Sequence, residues 1–178
     1  FNNYKHPISA YKKRMPWILC NMVGGLACAI ISYVFHLVLS KMIILAMFIP
    51  LVLALSESIS MQSMTQSLQI LKKQNIPLKK ILHRVFFEMR VASLMSISCG
   101  ILVGFISLFW KSGFMISSIL AVGITFSVII AAVIGACIPL FLHACKLDPK
   151  VASGPVVLTL ADMATTSIYL SLATYFIL

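Results

Sequence analysis

The sequence predicts an all-α, polytopic membrane protein with five transmembrane helices in each subunit. Of its 178 residues, 61% are hydrophobic and only 10% are charged, and the mean hydropathy is +1.04. Soluble domains are about 45–50% apolar and about 25% charged, so one small core cannot hide this much apolar surface from water. Five apolar stretches are long enough to cross a bilayer as helices, and no period-two alternation suggests a barrel.

The predicted spans follow one another with short connections. A hydrocarbon core of about 30 Å needs roughly 20 helical residues. The spans run over residues 15–39, 42–71, 91–110, 114–142 and 153–178. Residues 1–14 are predicted to be a cytoplasmic lead-in to the first helix, and residues 15–178 a single five-helix domain. The second span is unusual, because its apolar first half is followed by the polar sequence SESISMQSMTQSLQ.

Basic residues predict the orientation of the spans. Of the 14 basic residues, all but Lys41 and Lys111 fall on one side of the predicted membrane. That side carries Lys5, Lys12, Lys13, Arg14, Lys72, Lys73, Lys79, Lys80, Arg84, Arg90, Lys146 and Lys150. The positive-inside rule then places the N-terminus in the cytoplasm and the C-terminus outside. Because these residues lie in short clusters between apolar spans, the net charge of +10 indicates a membrane surface and no nucleic-acid partner.

The basic connection between the second and third spans has two open interpretations. Its sequence, KKQNIPLKKILHRVFFEMR, is compatible with an amphipathic helix that starts after Pro77 and lies along the inner membrane surface. A solvated basic loop explains the same composition equally well.

Several familiar signals are missing from the sequence. It has no Walker, HExxH, GxSxG or CxxC pattern, so no enzyme is predicted. The five cysteines are isolated and are expected to serve packing. Gly100 and Gly104 form a small-xxx-small pattern for close helix contact, either within one subunit or between two.

Two acids inside the predicted spans are the most informative residues. Glu57 and Asp162 lie near mid-depth of the second and fifth spans, and no basic residue lies inside a span to pair with them. A charged group at this depth costs a few kcal/mol, about 2.5–3.5 on insertion scales, and usually faces a partner or a water-filled cavity. Two explanations remain: a protonated carboxyl bonded to a neighbour, or a cation pathway. Carboxylate oxygens suit hard divalent ions such as Mg²⁺.

The surroundings of these acids are rich in oxygen-bearing side chains. We predict a metal site with Asp162 and Glu57 as candidate ligands. The predicted pore-lining residues are Ser58, Gln62, Ser63, Ser153, Gly154, Pro155, Thr159 and Ala161. Hydroxyl groups also bond to their own helix, which is the simpler explanation for any single Ser or Thr. Pro50 and the Gly154–Pro155 pair are expected to loosen the helices and free carbonyl groups.

Asp148 precedes Pro149 at the predicted cytoplasmic mouth. As an acid directly before a helix, it is explained equally well as a helix cap. Asp148 and Asp162 are 14 residues apart, close to four helical turns, so a continuous helix places both on nearly one face, about 20 Å apart. One carboxylate then lies at the entrance and the other in mid-membrane.

Three stretches resemble the MgtE-type family of magnesium transporters and channels. LDPKVASGPVVLTLAD is similar to the last-helix pattern LDPAxASGPxxTTLxD of that family. RMPWILCNMVGG resembles R-x-PWLLxNLxGG at the start of the first membrane helix, and FIPLVLALSESISMQS resembles FIPxVxxMGGNxGxQS in the second. The resemblance covers nearly the whole chain.

This resemblance implies a homodimer whose second and fifth helices line one pore for Mg²⁺ in a bacterial inner or plasma membrane. Asp162 takes the place of the acid in the pore ion site, and Asp148 that of the acid near the cytoplasmic gate, where Mg²⁺ is also the gating ion. Ser58, Gln62 and Ser63 fall where the family has Asn, Gln and Ser. The family's GGN is here Ser56-Glu57-Ser58, which adds a carboxylate.

Two other functions remain open from the sequence. A proton- or sodium-coupled cation carrier could use Glu57 as its coupling group, because an intramembrane carboxyl can take up and release a proton. A membrane scaffold subunit without transport is the third possibility.

Overall fold

The computed structural model describes residues 7–71, 78–109, 113–145 and 149–177. These residues form six helices, and no strand occurs among them. The helices are α1 (Pro7–Val34), α2 (His36–Lys41), α3 (Ile43–Leu71), α4 (Leu78–Phe109), α5 (Gly113–Ala144) and α6 (Pro149–Ile177). All except α2 are long and apolar enough to cross a membrane, which confirms the predicted all-α fold with five such helices. The orientation of the termini stays a prediction.

The first predicted span is divided by a break at Phe35. This residue has φ −93° and ψ 16°, and the short helix α2 follows it. The ring of His36 donates a hydrogen bond from Nδ1 to the carbonyl of Tyr33 over 2.8 Å and stacks on the Tyr33 ring. A side chain thus bonds to a carbonyl at the point where the regular helix ends. The expected continuous helix to residue 39 was therefore wrong.

The helix after Pro77 exists, but it is continuous with the third span, which begins at Val85. α4 runs without interruption from Leu78 to Phe109, a length of 32 residues. Residues 78–90 therefore do not form a separate helix along the membrane surface. Residues 72–77, the first part of this basic connection, lie outside the described residues.

Proline residues do not interrupt the helices that contain them. α3 continues through Pro50 and α6 through Pro155, so the predicted loosening does not appear as a break in either helix. Each proline still lacks an N–H, which leaves the carbonyl four residues earlier without its helical donor.

The helix α5 lies at the centre of the bundle. It packs against α3, α4 and α6, while α6 also packs against α1 and α3. The shared core contains fully buried side chains from three helices, among them Val52 on α3, Ile124 on α5 and Leu170 on α6. α1 has no such packing on most of its surface and exposes Met22, Val23, Leu26 and Ile30. In a membrane, this apolar surface is available to lipid or to another copy of the chain.

Small residues set the closest helix contacts. A Cβ on Gly104 would come within 2.9 Å of the Ala121 side chain, and one on Gly100 would overlap the Thr125 hydroxyl. The small-xxx-small pattern therefore serves packing within the subunit, between α4 and α5. Gly135 of α5 lies directly against the backbone carbonyl of Ser60 on α3, with no room for a side chain between them.

Candidate functional site

The polar second half of α3 presents two different faces. One face is buried and consists of Ser56, Ser60, Ser63 and Ser67. These small side chains allow α3 and α5 to approach closely, and the Ser67 hydroxyl donates a hydrogen bond to the Ala136 carbonyl of α5 over 2.9 Å. The buried serines are therefore part of helix packing.

The other face carries an exposed row of polar side chains, which we call the α3 polar stripe. It contains Ser58, Gln62, Thr65 and Gln69, spaced four, three and four residues apart and all exposed. This spacing keeps the four side chains on one side of the helix. Earlier in α3 the same side is apolar, with Met47 and Leu51 exposed. The change from apolar to polar occurs at Glu57, which is itself exposed.

Asp162 lies in the middle of α6 and is half-buried. It is 13 residues from the start of α6, and Glu57 is 14 from the start of α3, or about 20 Å along each helix. The charge of Glu57 acts on the Asp162 carboxyl, so the two acids are electrostatic neighbours across the α3–α6 contact. The spans thus bring together two of the three predicted metal ligands.

The helix α1 borders Asp162 on another side. The Cys28 thiol interacts with the Thr166 side chain and lies within electrostatic range of Asp162. The Thr166 hydroxyl also donates a hydrogen bond to the Asp162 carbonyl over 2.8 Å. Asp162 is therefore flanked by Cys28 from α1 and Glu57 from α3. Sequence analysis assigned Cys28 to packing, and no local pattern identifies it as a neighbour of Asp162.

Neither carboxyl group has a partner in the described part of the chain. Across residues 7–71, 78–109, 113–145 and 149–177, the side chains of Glu57 and Asp162 form no ion pair and no hydrogen bond. A protonated carboxyl bonded to a neighbour therefore finds no support in this subunit. Two unpaired acids at mid-depth are costly unless water, an ion or another subunit meets them.

The remaining predicted lining residues are divided between different environments. Gly154, Pro155 and Thr159 are half-buried, whereas Ala161 and Ser63 are buried inside the subunit. Thr159 packs against α1, where a Cβ on Gly24 would come within 2.6 Å of its methyl group. Its hydroxyl donates a hydrogen bond to the Pro155 carbonyl over 2.8 Å. Asp148 and the side chain of Ser153 lie outside the described residues.

Two members of the polar stripe, Thr65 and Gln69, were not among the predicted lining residues. The signal that identifies them is present in the sequence, since they continue the spacing of Ser58 and Gln62 by three and four residues. The same spacing separates Ser63 from the stripe. A count of the polar residues of α3 does not separate the faces of the helix. It therefore placed the buried Ser63 in one group with the exposed Ser58 and Gln62.

The donor set of one subunit does not form a closed metal site. No group of three or more His, Cys, Asp or Glu side chains that could hold a metal occurs within the part of the chain that the structure describes. Mg²⁺ gives up its water reluctantly and is commonly held by one or two carboxylates with several waters retained. Asp162 and Glu57 together supply two carboxylates, the number that such a site commonly uses.

The fold and this site define a multi-pass α-helical membrane protein with a hydrophilic surface at mid-membrane depth. A family model described as a divalent cation transporter, MgtE, matches residues 49–172. The chain therefore belongs to the MgtE family of divalent cation transporters.

Three relatives carry the name magnesium transporter MgtE. The protein of Bacillus subtilis (strain 168) is 33% identical over 171 residues, which cover 96% of this chain and 38% of the relative. That of Thermus thermophilus is 28% identical over 169 residues, covering 94% and 37%, respectively. That of Enterococcus faecalis is 25% identical over 177 residues, covering 97% and 38%. The chain spans about two fifths of the length of these relatives.

Proposed function

We propose that this chain is the transmembrane part of a magnesium transporter that passes Mg²⁺ down its electrochemical gradient as a channel. The observation that carries the proposal is the α3 polar stripe, which begins one residue after Glu57, the electrostatic neighbour of the unpaired Asp162. Exposed amide and hydroxyl groups are disfavoured against hydrocarbon, because nothing there can bond to them. The stripe therefore requires contact with water. A row of water molecules along the stripe would be a path for a hydrated ion.

A second copy of the chain completes the path in this proposal. One subunit alone leaves the stripe on its outer surface, where the bilayer would meet it. Two subunits related by a twofold axis, with their stripes facing each other, would enclose a polar channel and hide it from lipid. Each subunit then contributes Asp162 and Glu57, so four carboxylates surround one axis. The names of the three relatives support Mg²⁺ as the ion.

The mechanism of passage is electrostatic. A divalent cation crossing a bilayer needs negative charge and oxygen dipoles at mid-depth, where its hydration energy is otherwise lost. The carboxylates of Asp162 and Glu57 supply the charge, and the stripe supplies amide and hydroxyl oxygens toward the end of α3. Mg²⁺ keeps several waters, so a site of this kind contacts the ion mainly through its hydration shell.

Uptake of Mg²⁺ into sealed liposomes that contain the purified chain tests the proposal. Asp162→Asn should abolish uptake without loss of the folded protein. Glu88→Gln makes the same carboxylate-to-amide change on α4 and should leave uptake in place. Unchanged uptake by Asp162→Asn would show that Asp162 is not part of the ion path.

The stripe itself has a separate test. Gln62→Leu should reduce Mg²⁺ uptake strongly, because an apolar side chain then lies in the water path. Ser98→Leu places the same side chain at an exposed position on α4, and it should have no effect on uptake. If the stripe faced lipid, Gln62→Leu would be harmless, and equal uptake by the two variants would reject the assignment.

A coupled carrier is the second candidate, favoured by the exposed Glu57 beside Asp162. Transport by a proton-coupled carrier depends on a pH gradient, whereas flux through a channel continues without one. A membrane scaffold would show no flux under either condition. The same liposomes, with and without a pH or sodium gradient, separate the three functions.

A further inference from the structure

A groove lies on the outer surface of α4 near its first third. It is lined by Phe86, Met89, Arg90, Ser93 and Leu94, with a volume of about 550 Å³. The spacing of three, one, three and one residues places all five on neighbouring rows of one helix. Phe86 and Leu94 are 60% and 67% exposed, so the groove is open to whatever surrounds the protein. Its walls are mainly apolar, and its one charged group is Arg90.

The groove lies on the exposed side of α4. α4 packs mainly against α5, and its other side exposes Ile97, Ile101, Leu102 and Phe105. The polar stripe, which requires water or a second subunit, belongs to α3, a helix that makes only minor contact with α4. An apolar helix side away from that stripe is the side that faces the bilayer. The groove continues directly into this apolar side.

Arg90, the charge at the groove, has no ion-pair partner among the residues that the structure describes. His83 is exposed on the same side of α4, seven residues or about 10 Å before Arg90. The apolar part of α4 begins at Val85, so Arg90 lies about 7–8 Å beyond the start of that span. A guanidinium at this depth reaches the interface by extending along the helix, toward the level of lipid phosphates.

We propose that this groove binds one anionic phospholipid of the cytoplasmic leaflet. Arg90 bonds to the lipid phosphate with its planar pair of N–H donors, which match phosphate geometry. His83 lies on the headgroup side, and one acyl chain follows Leu94, Ile97 and Ile101 toward the bilayer centre. The assignment to the cytoplasmic leaflet rests on the orientation predicted from the basic residues. Zwitterionic lipid fits the apolar part equally well but lacks the net charge that Arg90 attracts.

Native mass spectrometry of the purified chain from mixed nanodiscs measures this preference. The probes are dioleoyl phosphatidylglycerol and dioleoyl phosphatidylcholine, which share acyl chains and differ in headgroup charge. The wild-type chain should retain phosphatidylglycerol in preference to phosphatidylcholine. Arg90→Gln should reduce that preference about tenfold, the effect of losing a charge-assisted hydrogen bond to the phosphate. Arg90→Lys should keep part of it, because the charge remains and the planar donor pair is lost.

Arg14→Gln is the matched control, since Arg14 is another exposed arginine at the same predicted side of the membrane. It should leave the preference unchanged. If Arg90→Gln retains the wild-type preference, or if Arg14→Gln loses as much, the site at Arg90 is wrong and the attraction is a general effect of basic charge. Because lipid retention is measured without ion flux, this result is independent of the proposed transport function.

Discussion

Asp162 of α6 and Glu57 of α3 are electrostatic neighbours, although 105 positions of the chain separate them. Each lies about 20 Å along its own helix, and neither has a basic partner in the described segments. Glu57 stands where the family pattern has a glycine, so the pair is a property of this chain. Like charges that act on each other repel, and a divalent cation bound to both carboxylates would relieve the repulsion.

The first prediction concerns Glu57. Protons and Mg²⁺ compete for the same carboxylates, so binding of Mg²⁺ should release protons and weaken as the pH falls. Glu57→Gln removes one competing carboxylate from each subunit. It should lower the affinity for Mg²⁺ and flatten the dependence of that affinity on pH. Calorimetric titration in buffers of different ionisation enthalpy measures both the affinity and the protons released.

Equal proton release from wild type and Glu57→Gln would exclude Glu57 from the ion site. Asp162 would then be the only mid-membrane acid in the mechanism. Glu88→Gln controls for the general loss of a carboxylate, and it should bind Mg²⁺ as the wild type does.

The second prediction concerns Asp148, whose role is implied by the family resemblance. The residue directly precedes Pro149, the first residue of α6, and it lies outside the described residues. If Asp148 is a gate acid that binds Mg²⁺ on the cytoplasmic side, Asp148→Ala should raise the open probability at millimolar internal Mg²⁺. If Asp148 is only a helix cap, the same change should reduce the stability of the protein by about 1 kcal/mol and leave the Mg²⁺ response unchanged. Single-channel recording together with a melting curve distinguishes the two outcomes.

The fold was largely predictable from the sequence because a bilayer imposes simple requirements. Apolar length and basic flanks predict helices, and all five predicted spans correspond to helices that are long enough to cross a membrane. The break at Phe35 was not predictable, because no Pro or Gly marks it; a bond between His36 and the Tyr33 carbonyl occurs at this point. The regular course of α6 through Pro155 was not predictable either, because a proline inside a helix usually disturbs it.

The site was only half predictable, for a different reason. Mid-depth acids are visible in a sequence, and so is the helical spacing of Ser58, Gln62, Thr65 and Gln69. Contacts between distant segments are not visible, so Cys28 beside Asp162 appeared only in the folded chain. The separation of buried from exposed serines on α3 likewise depends on where α5 packs.

The third prediction concerns the Cys28 thiol. It is half-buried and next to both Thr166 and Asp162. If a hydrated ion occupies the Asp162 site, a small cationic thiol reagent should reach Cys28 by the same path, and millimolar Mg²⁺ should slow the reaction. The rate is measured by mass spectrometry in a variant that keeps Cys28 as its single cysteine.

A second variant that keeps only Cys137 supplies the control, because this exposed cysteine lies on α5. Its reaction should not respond to Mg²⁺. Identical rates for Cys28 with and without Mg²⁺ would place the thiol outside the ion path and return it to a packing role.

The fourth prediction tests the close contact between α3 and α5. A Cβ on Gly135 would meet the carbonyl carbon of Ser60 at 2.9 Å and overlap its oxygen, and backbone atoms cannot move aside cheaply. Gly135→Ala should therefore destabilise the protein by about 1–3 kcal/mol despite the better helix propensity of alanine. Gly25→Ala is the matched control, because nothing lies within 4 Å of a Cβ at that position of the subunit. Melting curves in detergent should show a loss for Gly135→Ala and no loss for Gly25→Ala, and equal behaviour of the two would contradict the contact.

The fifth prediction compares two buried serines that differ in hydrogen bonding. Ser67 donates to the Ala136 carbonyl across the α3–α5 contact, whereas the Ser127 hydroxyl of α5 has no hydrogen-bond partner among the described residues. Losing a made hydrogen bond costs about 1 kcal/mol, while removing an unsatisfied buried hydroxyl relieves a penalty of about 1–3 kcal/mol. Ser67→Ala should therefore lower the melting temperature, and Ser127→Ala should maintain or raise it. Both changes delete one buried oxygen, so cavity effects are nearly equal. A loss for Ser127→Ala as large as that for Ser67→Ala would mean that the Ser127 hydroxyl is bonded in the folded protein.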